Sequence, residues 1–359
     1  MSEKIDFLRE IRINPIVPTE SVLVSTERGL RPKKEEERVA RDNREHVDTC
    51  PFCRGNEDKT PPAITTFPED KEWQIRMVEN LYPVLGDDRE QKSLTMGLQQ
   101  VIDGYGRHEV VIDHPNHSIH VSEMSAEHLA DLFLVYQTRM QELYDGDERL
   151  KYVLIFKNFG PAAGASIPHT HSQIIAMPVV PENLQNEVFH SKNYYEKYNQ
   201  CIFCSLIDEA LTFETTIYDR HSGEVRRKID VGQYVVDRGE KFIAIKPFAS
   251  KFEWEVHILP LQHSAEFLET SATDLLDFAA VLKRTMQRLE KVLGGVQYNF
   301  FLHSKPRCNE SDGCDKSFHW HLEICPRTTI PNGFELGSGL FVSTISPEIA
   351  AKQLREVEL

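Results

Sequence analysis

The sequence predicts an α+β protein in which one unit, a mainly antiparallel sheet with a long helix packed on it, occurs twice. Two observations support this fold class. Motifs of the first half recur after about 150 residues, and each half combines short strand-like runs with one long helical pattern. A chain of 359 residues is long enough to form two such units.

Three motifs define the repeat. They are Cys-x-x-Cys, Glu-Val followed by His-Ser, and His-x-His, which begin at Cys50, Glu109 and His169 and recur at Cys201, Glu255 and His319. Their order is the same in both halves and their offsets agree within a few residues, which indicates an internal duplication. We therefore predict a first half over residues 1–181, a linker without clear pattern over residues 182–200, and a second half over residues 201–359.

The elements of each half follow from hydrophobic periodicity. In the first half, short apolar runs predict strands at residues 109–112, 152–156 and 173–177. A helix is predicted over residues 126–144, where the apolar positions at helical spacing are Leu129, Leu132, Phe133, Tyr136, Met140 and Leu143. The second half repeats this pattern, with strands at 242–245, 255–259 and 298–303 and a helix over 272–293.

Composition excludes several classes of function. The formal net charge of −15 argues against a nucleic-acid-binding protein, which needs a basic surface to meet the phosphate backbone. An anionic small substrate remains compatible with this charge, because local arginines or backbone amides can bind phosphate on an acidic protein. No apolar run of about 18 residues predicts a membrane-spanning helix. Since the first residues also lack the pattern of a secretory signal, we expect a cytoplasmic protein.

The repeated Cys-x-x-Cys pairs predict zinc sites, because two thiolates on a tight turn can share one tetrahedral ion with two histidines. The first predicted ligand set is Cys50, Cys53, His117 and His169, and the second is Cys201, Cys204, His263 and His319. One or two ions bound in this way would be structural, since no coordination position is left for water. The alternatives are redox dithiols or unrelated buried thiols. Cys308, Cys314 and Cys325 show no partner pattern and are interpreted as ordinary thiols.

The segment before the first His-x-His is rich in small residues, which allow backbone N–H groups to approach an anion closely. If metal holds His169, then His171 is fixed nearby, and a neutral imidazole is a competent nucleophile toward phosphorus. Ser166 and Gln173 could donate hydrogen bonds to the phosphate oxygens. The alternative interpretation is an ordinary glycine-rich turn beside an ordinary histidine.

At these motifs the chain resembles the galactose-1-phosphate uridylyltransferase family, the transferase branch of the histidine-triad superfamily. The resemblance extends from about Asn14 to the C-terminus and is strongest at residues 50–53, 114–118 and 158–173. It implies a duplicated histidine-triad fold, a homodimer, and cleavage of a nucleotide sugar at its α-phosphorus. The nucleoside monophosphate would be held on a histidine and then passed to a second phosphate.

The resemblance also implies roles for individual residues. His171 would be the nucleophile, and the residues around the α-phosphate would be Gln173, Ser166, Gly164 and Asn158. Asn80 would lie near the nucleotide, and Arg28 and Arg31 match an N-terminal pair associated with phosphate binding.

Two departures from the family pattern bear on the substrate. Thr170 stands where uridylyltransferases usually have proline, and both Thr170 and the Gly-Phe-Glu-Leu-Gly-Ser-Gly segment at 333–339 are similar to the ADP-glucose phosphorylase branch. The usual C-terminal glutamine that contacts the hexose phosphate has no clear match. In the second half, Glu323 takes the place of Gln173, which predicts that this half is not catalytic.

We therefore predict a nucleotidyltransferase that acts on nucleotide sugars through a covalent His171 intermediate. Its substrates would be UDP-glucose and a hexose 1-phosphate. One alternative is an ADP-glucose phosphorylase, which passes the adenylyl group to inorganic phosphate. An alternative of another class is a non-catalytic, zinc-stabilised nucleotide-binding module. No nucleic-acid or membrane partner is expected.

Overall fold

The computed structural model describes residues 8–30, 42–69, 71–308 and 313–359. The strands are β1 (Arg9–Ile13), β2 (Ser21–Ser25), β3 (Ala63–Phe67), β4 (Ile75–Glu79), β5 (Ser93–Met96), β6 (Gln99–Ile102), β7 (Arg107–Ile112), β8 (Tyr152–Phe159), β9 (His171–Met177), β10 (Glu214–Tyr218), β11 (Val225–Asp230), β12 (Val235–Arg238), β13 (Phe242–Ile245), β14 (Val256–Pro260), β15 (Tyr298–His303), β16 (His321–Pro326) and β17 (Phe341–Ser343). The helices are α1 (Ala126–Gly146), α2 (Glu182–Tyr198), α3 (Ile202–Thr212), α4 (Ala272–Leu293), α5 (Cys314–Ser317), α6 (Gly333–Ser338) and α7 (Pro347–Arg355).

One ten-stranded sheet runs through both halves of the chain, in the order β12-β13-β14-β16-β15-β8-β9-β7-β4-β3. All neighbouring strands in it are antiparallel. The first five strands in this order come from the second half and the last five from the first half. The halves meet at β15 and β8, where Phe301 lies opposite Phe156 and Asn299 lies opposite Asn158. The α+β prediction with a mainly antiparallel sheet is confirmed.

Helices α1 and α4 cover one face of this sheet. Both begin at a serine whose side chain accepts a hydrogen bond from the backbone three residues on, Ser125 from His128 N and Ser271 from Asp274 N. Their apolar sides pack on the sheet and on each other, and the rings of Phe133 and Phe278 lie edge to face at 4.7 Å. Since side chains alternate along a strand, every second residue of the sheet points to the opposite face, which we call the open face.

Residues 182–198, in the segment predicted to link the two halves, form a helix that the sequence did not predict. Helix α2 buries only Leu184 and Ser191 along its 17 residues, which leaves it without the apolar stripe that reveals a helix in a sequence. It ends at Asn199, which adopts the left-handed conformation (φ 53°) typical of a helix C-terminus. The division of the chain into two domains stays a prediction.

The interpretation of the three remaining cysteines as ordinary thiols was wrong for Cys308 and Cys314. Cys308 and Cys314 form a disulfide, with Cα atoms 6.6 Å apart. Cys325 is a free, buried thiol. Among the described helices, none combines the length and hydropathy that crossing a membrane requires.

An aromatic cluster lies between the sheet and the helices, and truncating one of its side chains should strongly lower the free energy of unfolding. Phe133 is fully buried and touches Phe278, Phe267 and Phe300. We expect Phe133→Ala to lower the free energy of unfolding by about 3–5 kcal/mol, measured by urea denaturation. The matched control is Phe189→Ala on α2, whose ring is 59% exposed and whose loss should change the free energy by less than about 0.5 kcal/mol. Equal effects of the two substitutions would contradict this packing.

Candidate active site and metal centres

The first predicted ligand set forms a compact, buried cluster. Cys50, Cys53, His117 and His169 lie with their ligand atoms within 4.8 Å of one another. Cys53 Sγ is 3.4 Å from His117 Nδ1 and 3.5 Å from His169 Nδ1. Tetrahedral zinc, with Zn–S of about 2.3 Å and Zn–N of about 2.0 Å, would hold these atoms about 3.6 Å apart. The residues therefore fit zinc.

Hydrogen bonds turn the correct nitrogen toward this cluster. His169 Nε2–H donates to the carbonyl oxygen of His114 (2.8 Å), which leaves His169 Nδ1 as the unprotonated nitrogen that a metal needs. Burial raises the pKa of the Cys53 thiol to about 11. Without metal this thiol is neutral, so zinc binding would displace its proton.

The second set forms a similar but more open cluster, made of Cys201, Cys204, His263 and His319. Cys204 Sγ is 3.4 Å from His263 Nδ1 and 3.6 Å from His319 Nδ1. Each histidine again uses Nε2–H to bond a backbone carbonyl, His263 that of Asp315 and His319 that of Pro260. This set also fits zinc, although His263 is exposed and Cys204 only half-buried.

His171 begins strand β9 with its side chain on the open face. Its Nδ1 lies 2.8 Å from the carbonyl oxygen of His169. Because a carbonyl can only accept, Nδ1 carries the proton and Nε2 keeps its lone pair. Burial lowers the pKa of His171, and the positive charge of Lys157 lowers it further, so the imidazole is neutral at pH 7. These are the properties of a nucleophile toward phosphorus.

A buried ion pair that sequence reasoning missed lies beneath this histidine. Lys157 is fully buried, and its Nζ donates to Asp113 Oδ2 (2.5 Å), Thr170 Oγ1 (2.7 Å) and the carbonyl oxygen of His171 (3.0 Å). Thr170 therefore supplies a hydroxyl acceptor that proline could not offer. A lysine directly after the apolar run 152–156 of strand β8 was the available signal for this pair.

Gln173 lies two residues beyond His171 on the same face, and its Oε1 is 2.8 Å from His108 Nε2. His108 Nδ1 accepts from the backbone N–H of Val84 (3.2 Å), so Nε2 is the protonated nitrogen and donates to Gln173. Asn80 lies beside them, and its Oδ1 accepts from Tyr82 N–H. Its Nδ2 is 3.1 Å from His108 Nε2, but both nitrogens are donors in this tautomer, so this contact is not a hydrogen bond. His108 was not recognised from the sequence as part of this site.

Asn158 joins this site from the neighbouring strand. Phe156 lies opposite Gln173 in the register of β8 and β9, which puts Asn158 beside His171. The glycine-rich turn follows, with Gly160 and Gly164 both at φ 85°, a conformation that favours glycine. A Cβ on Gly160 would lie 2.5 Å from the side chain of Gln297. Ser166, at the end of this turn, is exposed.

The structure does not group Arg28 with these residues. Arg31 lies outside the described residues. Arg28, in the turn Thr26–Leu30, lines a cavity of about 110 Å³ with Lys251, Phe252 and Thr344. None of the other predicted substrate residues lines that cavity.

The second half builds a different surface around its equivalent histidine. His321 Nδ1–H donates to the carbonyl oxygen of His319 (3.0 Å), as His171 does to His169. Its Nε2, however, lies 3.4 Å from Glu323 Oε1, where the first half has the Gln173 amide. Nearby histidines, His257 foremost among them, lower the pKa of Glu323 and keep it a carboxylate, which would repel a phosphate. A further group of metal-ligand type, also missed from the sequence, comprises Glu187, His303, His321 and Glu323.

The two clusters predict two zinc ions per chain. We expect Cys53→Ser to remove about one zinc per chain, measured by atomic emission, because it deletes a ligand of the buried cluster. Cys204→Ser should remove the other ion. Cys325→Ser, at a buried free cysteine outside both clusters, is the control and should leave the zinc content unchanged. A wild-type protein purified without zinc would contradict both assignments.

Comparison with known proteins identifies the family. The family model described as galactose-1-phosphate uridyl transferase, N-terminal domain, matches residues 2–181. The ADP-glucose phosphorylase of Arabidopsis thaliana is 31% identical over 98% of this chain and 93% of that protein. The galactose-1-phosphate uridylyltransferase of Thermotoga maritima is 28% identical over 98% of this chain and 99% of its own length.

Solved structures agree with this result. The crystal structure of the Arabidopsis thaliana ADP-glucose phosphorylase with bound ADP-glucose superposes with a TM-score of 0.80, at 29% identity over 98% of this chain and all of that one. A uridylyltransferase structure superposes with a TM-score of 0.68, at 25% identity over 96% and 97% of the two chains. The predicted resemblance is thus confirmed, and this chain belongs to the galactose-1-phosphate uridylyltransferase family of nucleotidyltransferases.

Proposed function

We propose that this chain transfers a nucleoside monophosphate from a nucleotide sugar to a second phosphate through a covalent bond to His171 Nε2. The observation that carries the proposal is the 2.8 Å contact between His171 Nδ1 and the His169 carbonyl oxygen, an acceptor that requires the proton to be on Nδ1. It leaves a neutral nitrogen with its lone pair free on the open face, beside the amides of Gln173 and Asn158.

The reaction consists of two displacements at the α-phosphorus. In the first, the Nε2 lone pair forms a P–N bond while the bond from phosphorus to the bridging oxygen breaks, and the sugar 1-phosphate leaves with that electron pair. In the second, an oxygen of the acceptor phosphate attacks and the P–N bond breaks, which returns its electron pair to Nε2. Throughout, Nδ1–H stays on the His169 carbonyl, which stabilises the positive charge of the substituted imidazole.

Donors around His171 would stabilise the charge that develops on the non-bridging oxygens. We assign this role to Gln173, Asn158 and the Ser166 hydroxyl, with Gly164 allowing close approach of the backbone and Asn80 lying toward the nucleotide. Zinc at the first cluster would hold the His169 side chain and so keep its carbonyl in place. Arg28 and Arg31 as phosphate ligands stay predictions, as do a homodimer and a cytoplasmic location.

Of the two sugar-nucleotide reactions, we propose adenylyl transfer from ADP-glucose to inorganic phosphate. The similarity to the Arabidopsis thaliana ADP-glucose phosphorylase favours it, as does the Thr170 hydroxyl bound to Lys157. This reverses the order in which the sequence alone ranked the candidates. Uridylyl transfer to a hexose 1-phosphate is the second candidate, supported by the Thermotoga maritima relative.

Transfer of radioactive label tests the nucleophile. We expect wild-type protein incubated with [α-³²P]ADP-glucose to acquire acid-labile, base-stable label, and His171→Ala to acquire none. The matched control is His321→Ala, which removes the equivalent histidine of the second half and should leave labelling within about threefold of wild type. Labelled His171→Ala protein would contradict the assignment, as would loss of labelling in a folded His321→Ala protein.

The same labelled protein distinguishes the acceptors. Inorganic phosphate should release label as ADP, whereas release only by galactose 1-phosphate, after labelling from UDP-glucose, would favour the second candidate. A protein that shifts its melting temperature with either nucleotide sugar but never becomes labelled would be a binding module instead.

A further inference from the structure

We propose that His108 and Asn299 are positioning residues that hold the Gln173 and Asn158 amides so that both present NH₂ groups, and not oxygens, to the substrate phosphate. This inference rests on the proposed function. Positioning residues are needed because the oxygen and the NH₂ group of a side-chain amide have nearly the same shape but opposite hydrogen-bonding roles. A phosphate only accepts hydrogen bonds, so a reversed amide would place an oxygen against its negative charge.

The orientation of the Gln173 amide is determined by the backbone N–H of Val84, through two successive hydrogen bonds that pass through His108. The N–H of Val84 can only donate, and it donates to His108 Nδ1 (3.2 Å). His108 must therefore carry its proton on Nε2, which faces Gln173 Oε1 at 2.8 Å. With its oxygen occupied, Gln173 turns its NH₂ group away from His108. Because His108 is buried, water does not compete well for this bond.

The orientation of the Asn158 amide is also determined through two hydrogen bonds from a backbone group. Here that backbone group is an acceptor instead of a donor. The carbonyl of Ala163 can only accept, and it accepts from Asn299 Nδ2 (2.9 Å). That NH₂ group also donates to Asn158 Oδ1 (2.8 Å), so the Asn158 oxygen is occupied and its own NH₂ group remains available. In both cases a backbone group of invariant polarity selects the amide orientation.

Asn299 belongs to strand β15 of the second half and lies directly opposite Asn158 of strand β8, where the two halves of the sheet meet. Gln297, next to the start of that strand, accepts from Ala162 N–H with its Oε1 (2.6 Å) and so fixes the glycine-rich turn. The second half, which carries Glu323 in place of the amide, thereby contributes to the catalytic surface of the first. This gives the duplicated half a function beyond its own fold.

Double-mutant cycles test the proposal, with the single-turnover rate of His171 labelling as the readout. His108→Phe and Asn299→Asp should each lower the labelling rate by about 10- to 100-fold, the cost of one hydrogen bond to a charged group. His108→Gln, whose amide nitrogen can take the place of Nε2, should recover most of that rate. Once the amide itself is removed, the residue that positions it should no longer matter. His108→Phe should therefore change the rate by less than about twofold in the Gln173→Ala background. Asn299→Asp should have an equally small effect in the Asn158→Ala background.

Additive losses in these backgrounds would overturn the proposal, because they would mean that both residues act only on folding or on the turn. Failure of His108→Gln to recover activity in a folded protein would also overturn it.

A measurement that does not depend on activity separates this inference from the proposed function. In ¹⁵N–¹H spectra of the histidine rings, the signal missing from His108→Gln identifies His108. We expect a proton on Nε2 and none on Nδ1, and the opposite tautomer would overturn the inference even in an active enzyme. If wild-type protein is never labelled by a nucleotide sugar, the proposed function fails and the role toward phosphate fails with it, whatever the tautomer.

Discussion

The hydrogen bond from His171 Nδ1–H to the carbonyl of His169 is the constraint on which the rest of the site depends. Because the acceptor is a carbonyl, this bond fixes the tautomer and leaves Nε2 as the free nitrogen. The side chain of His169 belongs to the cysteine–histidine cluster, so one residue connects the candidate metal site to the proposed nucleophile. Lys157 adds a third restraint by binding the carbonyl of His171 from below.

The two halves show what this bond can and cannot determine. His321 makes the same bond to His319 and also lies next to a Cys-x-x-Cys cluster, yet its neighbour is the carboxylate of Glu323 instead of an amide. If the second half does not catalyse, as the sequence predicts, the backbone geometry of the His-x-His segment is not sufficient for phosphate chemistry. We infer that the charge of the groups around the imidazole decides, because a carboxylate would repel a phosphate.

Sequence patterns predicted the parts of the site that local spacing determines. Cys50 and Cys53 share one turn, and His169 lies two residues before His171, the first residue of strand β9, so their grouping follows from the chain itself. His108, Asn299 and the Lys157–Asp113 pair were missed because they act across strands that only the fold brings together. Helix α2 was missed for a related reason, since its polar surface carries no apolar period.

The proposed chemistry takes place at one atom, Nε2 of His171. It can be tested by ¹⁵N–³¹P coupling in the isolated nucleotidylated protein, labelled with ¹⁵N in its histidine rings. We expect phosphorus to be bonded to Nε2 of the residue whose Nδ1 still carries a proton, and peptide mapping to locate this residue at position 171. Phosphorus on Nδ1, or on any other side chain, would contradict it.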